Sequence, residues 1–290
     1  MFAITGITGQ VGGVVARIML ASGSNVRAVV RNADKAKNWA AQGCEIAVAE
    51  INDATALEKA FTGVDGVFIL LPPTFDPSPG YPEARHTIGV IRTALAAARP
   101  PKVVCLSTIG ANATQPNLLN QLGILEQELG TLPMPIAFLR AAWFMENAAW
   151  DIAPARKQGV IPTFLQPLDK PVPMVATADV GRVAAELLQE EWTGRRVINL
   201  EGPRRITPNE VAASFANILG KSVRAEIVPR DTWQDLFTSQ GMKNPIPRMQ
   251  MLDGFNEGWI EFDQGEAYSR KGSVTIDTVL KSLIEKEAQT

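Results

Sequence analysis

The residues with the clearest capacity for chemistry lie near the start of the chain. "TGITGQVGG" occupies residues 5–13 and spaces its glycines as Gly6-x-x-Gly9-x-x-Gly12. The apolar run "MFAIT" precedes it, and Val11, Val14, Val15, Ile18 and Met19 follow on one face of a helix. A strand, a glycine turn and a helix in that order make an anion site. Glycine lets the backbone approach a pyrophosphate closely, and the helix N-terminus offers unpaired N–H groups and a positive dipole end. The spacing differs from the familiar G-x-G-x-x-G, but the mechanics are the same. Thr8, Gln10 and Val11 fall between the glycines and share the expected contact with a phosphate-bearing cofactor.

A second feature refines that cofactor. Dinucleotide-binding folds selective for NAD place an acid about 20 residues past the loop, against the ribose 2′-hydroxyl. Here "VVRNADK" (29–35) supplies Arg31 and, slightly beyond, Lys35. A guanidinium grips a 2′-phosphate with paired donors, so NADPH is the expected cofactor.

Residues 106–127, "LSTIGANATQPNLLNQLGILEQ", hold the hydroxyl of Ser107 at the end of an apolar run, but no tyrosine or lysine follows in the stretch. The only tyrosines are Tyr81 and Tyr268, and neither has a lysine four residues on. A Tyr–Lys proton donor is therefore absent. His86 is the sole histidine, and Cys44 and Cys105 lie in or beside apolar runs without CxxC spacing. No metal site is expected, and the cysteines read as buried thiols of a reducing cytoplasm.

The elements that must position these residues alternate. Residues 1–5, 25–30, 44–50, 66–71, 102–107 and 136–140 are short, apolar, β-branched runs without polar alternation, as strands buried on both faces require. Ala84, Ile88, Ile91, Leu95 and Ala98 form another helical stripe, stopped by Pro100 and Pro101. Repeated βαβ units predict an α/β fold, a Rossmann-like doubly wound parallel sheet with a smaller C-terminal α/β substrate lobe. Residues 1–147 form the expected NAD(P)-binding domain, with segments near 176–200 returning to it. Residues 148–290 form the lobe, assembled discontinuously from about 148–175 and 202–265. "TPNE" (207–210) reads as a capping box, and Asp179 as an N-cap rather than a catalytic acid. Met249, Met251, Leu252, Phe255, Trp259 and Phe262 recur at helical spacing, either as a core-facing stripe or as a lid over an apolar ligand.

Length and composition set the outer bounds. The chain has 290 residues, 46% hydrophobic and 20% charged, with formal net charge −2. That suffices for a full core plus an appended lobe and gives no general attraction to nucleic acid or anionic membranes. No apolar run approaches the roughly 20 residues of a membrane span. The first strand begins at about Phe2, which leaves no signal peptide, and a cytoplasmic location is expected.

The segments "TGITGQVGG", "VRAVVRNADK", "AEINDATALEKAF", "GVFILLPP", "VVCLSTIGA" and "LRAAWFMEN" (139–147), in that order, resemble the NmrA-like family of atypical short-chain dehydrogenase relatives, and within it the bacterial NADPH-dependent quinone reductases. The resemblance implies a pyrophosphate at residues 6–12, a 2′-phosphate at Arg31 and an adenine beside Glu50 and Ile51. It places the nicotinamide side along Leu71, Pro72, Ser107 and Thr108, towards the loop holding Trp143, Phe144 and Asn147. Trp143 and Phe144 would stack a planar acceptor, with Asn147 and Ser107 as hydrogen-bond donors to its oxygen. Core filling is the equal alternative for the two aromatics. One departure stands out: the resemblance implies Lys or His, common among relatives, four residues before the glutamate matched by Glu126, where this chain has Leu122. Leu118, Leu122, Leu125 and Leu129 form a stripe, so Leu122 is expected to face the core.

Three functional readings follow. The favoured one is an NADPH-dependent oxidoreductase acting on a small acceptor such as a quinone. The alternative is a non-enzymatic NADP(H) sensor of the NmrA type that signals to a protein partner. A sugar-nucleotide epimerase or isoflavone-type reductase is disfavoured, because each needs an acid or base missing here. Homodimerisation is left open.

Overall fold

The computed structural model describes residues 1–287. Its first half alternates β1 (Phe2–Thr5), α1 (Gln10–Ala21), β2 (Val26–Val30), α2 (Lys37–Ala41), β3 (Glu45–Val48), α3 (Ala54–Phe61), β4 (Gly66–Ile69), α4 (Pro82–Ala98), β5 (Val103–Thr108), α5 (Asn120–Leu129) and β6 (Ile136–Ala141). Then come β7 (Trp143–Phe144), a 3₁₀ segment (Met145–Asp151), α6 (Ile152–Gln158), β8 (Val160–Thr163), β9 (Met174–Val175), α7 (Thr177–Gln189) and β10 (Arg195–Glu201). The rest is α8 (Pro208–Leu219), β11 (Arg224–Ile227), α9 (Trp233–Ser239), α10 (Ile246–Glu257), β12 (Arg270–Lys271) and α11 (Ile276–Glu287).

Eight strands form one parallel sheet in the order β12-β10-β6-β5-β4-β1-β2-β3, with helices on both faces, the Rossmann-like arrangement expected. One apolar cluster fills the face under α1 and α7 and runs on into the C-terminal elements; a second fills the face under α3, α4 and α5. The central strands are buried on both sides, which explains their unbroken apolarity. β3 departs from that pattern, with Val48 57% exposed, because it is an edge strand with one flank in water. Two small parallel pairs, β11–β8 and β7–β9, lie outside the main sheet.

α1 and α7 press together closely enough that a Cβ on Gly181 would lie 2.5 Å from the Cβ of Val14. The capping box at Thr207 and Glu210 forms as read, and α4 ends at Ala98, with Arg99 as its C-cap just before the two prolines. Met249, Met251, Leu252, Phe255 and Phe262 are buried and Trp259 is half-buried, so the Met-aromatic stripe packs into the core. The N-cap reading of Asp179 is overturned. α7 begins two residues earlier, at Thr177, and the Asp179 carboxylate instead accepts from the backbone N–H of Ser273 and Val274, at 2.9 and 2.8 Å. The true cap of α7 comes from far along the chain: Glu146 accepts from Thr177 N at 2.9 and 3.0 Å and from its hydroxyl at 2.6 Å. No local pattern announces a cap donated by a distant segment.

Candidate functional site

A parallel sheet puts the C-terminal ends of its strands along one edge. Loops distant in sequence therefore meet there. β1 lies between β4 and β2, the point where the strand order reverses and a crevice opens. The turn after β1 holds residues 6–12, Arg31 follows β2, Glu50 and Ile51 follow β3, and Leu71 and Pro72 follow β4. Ser107 and Thr108 end β5, and Trp143, Phe144 and Asn147 follow β6. Thr5 joins two of these ends, donating to the Phe68 carbonyl at 3.1 Å and accepting from Leu70 N at 2.9 Å.

The glycine turn has the backbone geometry that an anion site requires. Gly6 has φ +64°, the left-handed conformation that glycine adopts without strain. A Cβ on Gly12 would lie 2.4 Å from the Gly6 carbonyl oxygen, so only glycine lets α1 close onto the turn. The N-cap of α1 is Gly9, with no side-chain cap and no acid in the first turn. Its terminal N–H groups are thus left without a side-chain acceptor or a first-turn carboxylate, beside the exposed Thr8 and Gly9. Val11 is buried, so that residue can offer an anion only its backbone. Gln10 lies 3.2 Å from the Thr177 hydroxyl and links the loop to the start of α7. Arg31 and Lys35 are exposed and make no ion pair with any described residue. This free helix terminus and these free cations fit a dinucleotide carrying a 2′-phosphate.

Towards β5 and β6 the structure corrects one expectation. Ser107 is 2% exposed, and its hydroxyl donates to Glu126 Oε1 at 2.6 Å. Its proton is committed to the interior and is not available to an acceptor's oxygen. Arg140 completes the arrangement, gripping Glu126 through Nε at 2.8 Å and Nη2 at 2.7 Å and reaching Asp263 at 2.5 Å. Burial alone would lower the Arg140 pKa; its hydrogen bonds to Glu126 and their charge outweigh that and raise it. The network ties β5, β6 and α5 to the loop after α10. An arginine inside the apolar strand "IAFLRA" was the available signal for it. Leu122 is half-buried against the core, as its stripe predicts, while neighbouring Gln121 turns inward and donates to the Thr74 and Leu118 carbonyls.

The tyrosines are placed elsewhere. Tyr81 caps α4 and donates to the Asn117 carbonyl at 2.9 Å, and Tyr268 is 72% exposed beside β12. Cys44 and Cys105 are buried free thiols, and burial raises both pKa values. Among the described residues no cluster of His, Cys, Asp and Glu could hold a metal, and no helix is long and apolar enough to cross a membrane.

Trp143, Phe144 and Asn147 line one cavity of about 100 Å³, together with Phe164, Leu165, Met174 and Asp151. Trp143 is half-buried and packs edge-on to Phe255, with centroids 5.3 Å apart at 88°. Asn147 is exposed and bonds to no other described residue. Asp151 was not foreseen. Its carboxyl is held above the usual carboxylate range by burial, pushed up to about 7.

A doubly wound parallel sheet with a glycine turn at its switch point defines a Rossmann-like α/β protein. The chain belongs to the NmrA-like family, whose model matches residues 1–271. It is 26% identical to an NAD(P)H azoreductase of Xenophilus azovorans over 259 residues, 89% of this chain and 85% of that protein. It is 27% identical to quinone oxidoreductase 2 of Escherichia coli (strain K12) over 276 residues, 93% of each chain. The solved structure of an NADPH-dependent quinone oxidoreductase from Escherichia coli, complexed with NADPH, matches with a TM-score of 0.81 at 24% identity, covering 99% of this chain and 100% of that one.

Proposed function

We propose that this chain is an NADPH-dependent oxidoreductase that reduces a quinone or a similar small conjugated acceptor. The observation that carries the proposal is the uncapped N-terminus of α1 with unpaired Arg31 and Lys35 after the adjacent strand, one anion site for a pyrophosphate and one for a 2′-phosphate. Support comes from the family and from relatives whose names are an azoreductase and a quinone oxidoreductase. The backbone of residues 6–12 would hold the pyrophosphate, Arg31 and Lys35 the 2′-phosphate, and Glu50 and Ile51 the adenine. Leu71, Pro72 and Thr108 would border the nicotinamide side. Bound there, the cofactor supplies a hydride.

Trp143 and Phe144 give a planar acceptor an apolar wall, and Asn147 is free to donate to its oxygen. The chemistry suits a conjugated acceptor. A reduced quinone leaves a phenolate-like oxygen with a pKa of roughly 10, whereas a ketone leaves an alkoxide whose conjugate acid lies near water's, roughly 16. The conjugated acceptor therefore asks less of a proton donor. Positioning then carries more of the rate.

NADPH oxidation against a panel of quinones, azo dyes and aliphatic ketones tests the proposal. Turnover of the conjugated acceptors and not the ketones is expected, with Asn147→Ala lowering the quinone rate while NADPH affinity holds. Tight NADPH binding without turnover of any acceptor would replace this reading with the NADP(H)-sensor one.

A further inference from the structure

Asp151 ends the 3₁₀ segment that also carries Asn147, and both side chains line the aromatic cavity. Aspartate just before a helix ordinarily caps it, and Asp151 precedes α6. Here it adopts αR geometry and makes no cap hydrogen bond. Its carboxyl bonds to no other described residue. No other ionisable side chain lines the cavity. The charges on packed elements lie outside it: Glu146 is bonded to Thr177, Arg156 is paired with Glu287, and Glu210 sits in its capping box. Lys157 on α6 and Asp277, Lys281, Glu285 and Lys286 on α11 are likewise absent from its lining. An acid at a helix start that does not cap, inside an apolar wall, has no structural task in evidence.

We propose that Asp151 is the proton donor of this site, delivering the proton that accompanies the hydride to the acceptor. The proposal rests on the oxidoreductase reading and on a reduced nicotinamide dinucleotide as hydride source. The acceptor gains an electron pair with the hydride and carries negative charge on an oxygen or nitrogen. The carboxylic O–H bond of Asp151 breaks, a new O–H or N–H bond forms on that atom, and Asp151 is left as carboxylate. Water at its half-exposed edge reprotonates it. The cofactor is oxidised by two electrons and the acceptor reduced by two, with one proton drawn from solvent per turnover. Burial pushes the carboxyl up to about 7, so a share of the acid form is present at neutral pH.

The test uses Asp151→Asn and Asp151→Glu with saturating NADPH, an azo dye and a quinone. In the wild type, kcat for the dye should fall as pH rises through about 7. Asp151→Asn should lose that limb and slow dye reduction about 10²-fold or more, with a smaller loss on the quinone, whose product anion needs less neutralising. Asp151→Glu should retain a pH-dependent rate, and NADPH affinity should be equal in all three proteins. A readout without cofactor or turnover accompanies these: Asp151→Asn should melt above wild type at pH 8, with the gap closing as pH is lowered towards 4. An Asp151→Asn protein with wild-type rates and pH profile overturns the proton-donor assignment and leaves the oxidoreductase reading standing. A melting gap that is absent at every pH overturns the assignment as well. Wild-type inactivity on both acceptors, with NADPH bound, overturns both readings.

Discussion

Two glycines of the same turn should fail in different ways when changed to alanine. A Cβ on Gly12 would stand 2.4 Å from the Gly6 oxygen, 2.6 Å from its carbon and 2.9 Å from Ile7 N. Real Cβ atoms essentially never approach closer than 3.0 Å, so α1 must retreat by at least 0.6 Å (3.0 minus 2.4). It has little room, because Gly181 of α7 already rests on Val14 and the Val11 carbonyl. Overpacking of this kind costs about 1–3 kcal/mol, roughly 2–10 °C in melting temperature for a chain of this size. Gly9 is different. Its φ of −91° and ψ of −179° suit any residue, and its Cβ would meet only the Gly6 oxygen at 3.2 Å. Gly9→Ala should therefore melt within a few degrees of wild type, while its methyl occupies the surface a pyrophosphate would approach. Losing one charge-assisted hydrogen bond of about 1.5–3 kcal/mol weakens NADPH roughly 10- to 100-fold. Thermal melts and NADPH fluorescence titrations on the two variants decide the matter. Normal NADPH affinity in Gly9→Ala would mean the pyrophosphate binds elsewhere, and an unchanged melt in Gly12→Ala would refute the packing argument.

Arg31→Ala should erase roughly tenfold or more of the preference for NADPH over NADH, read by titrating both cofactors; equal wild-type affinities would refute the 2′-phosphate assignment. Glu126→Ala should destabilise by about 3 kcal/mol, the lower end for breaking a buried pair, because Arg140 keeps Asp263; a chemical melt within 1 kcal/mol of wild type would count against the network, a bound of about one ordinary hydrogen bond. For Asp151 the folded pKa of about 7 lies above the ordinary 3.8, so the folded state holds the proton more tightly and stability falls as pH rises between those values. Asp151→Asn should remove that loss, at most about 4 kcal/mol at 1.36 kcal/mol per unit, and a wild-type stability that does not fall from pH 4 to 7 relative to Asp151→Asn would contradict it.

Much of the layout of the proposed cofactor end was legible because its signals are local. A strand, a glycine turn and a helix occupy twenty consecutive residues, and the backbone geometry proposed for an anion site depends on nothing remote. Arg31 was readable for the same reason, since a residue just past the end of β2 must emerge beside the turn after β1 once the two strands pair in parallel. The acceptor end was not. Ser107 was expected to donate to an acceptor's oxygen, but α5, nineteen residues on, places Glu126 against it.

The order of apolar runs, the glycine spacing and the proline stops determined the parallel sheet, the helix faces and the cradle at residues 6–12, because each follows from periodicity or backbone sterics within a short window. The environment of the carboxylates was decided only by the tertiary structure. Glu126 became half of a buried ion pair, Glu146 a distant cap for α7, Asp179 an acceptor for the loop before α11, and Asp151 an unpaired acid in an aromatic cavity. All four are the same functional group in sequence. What separates them is which donors and how much water reach the oxygens, and those come from segments up to about a hundred residues away.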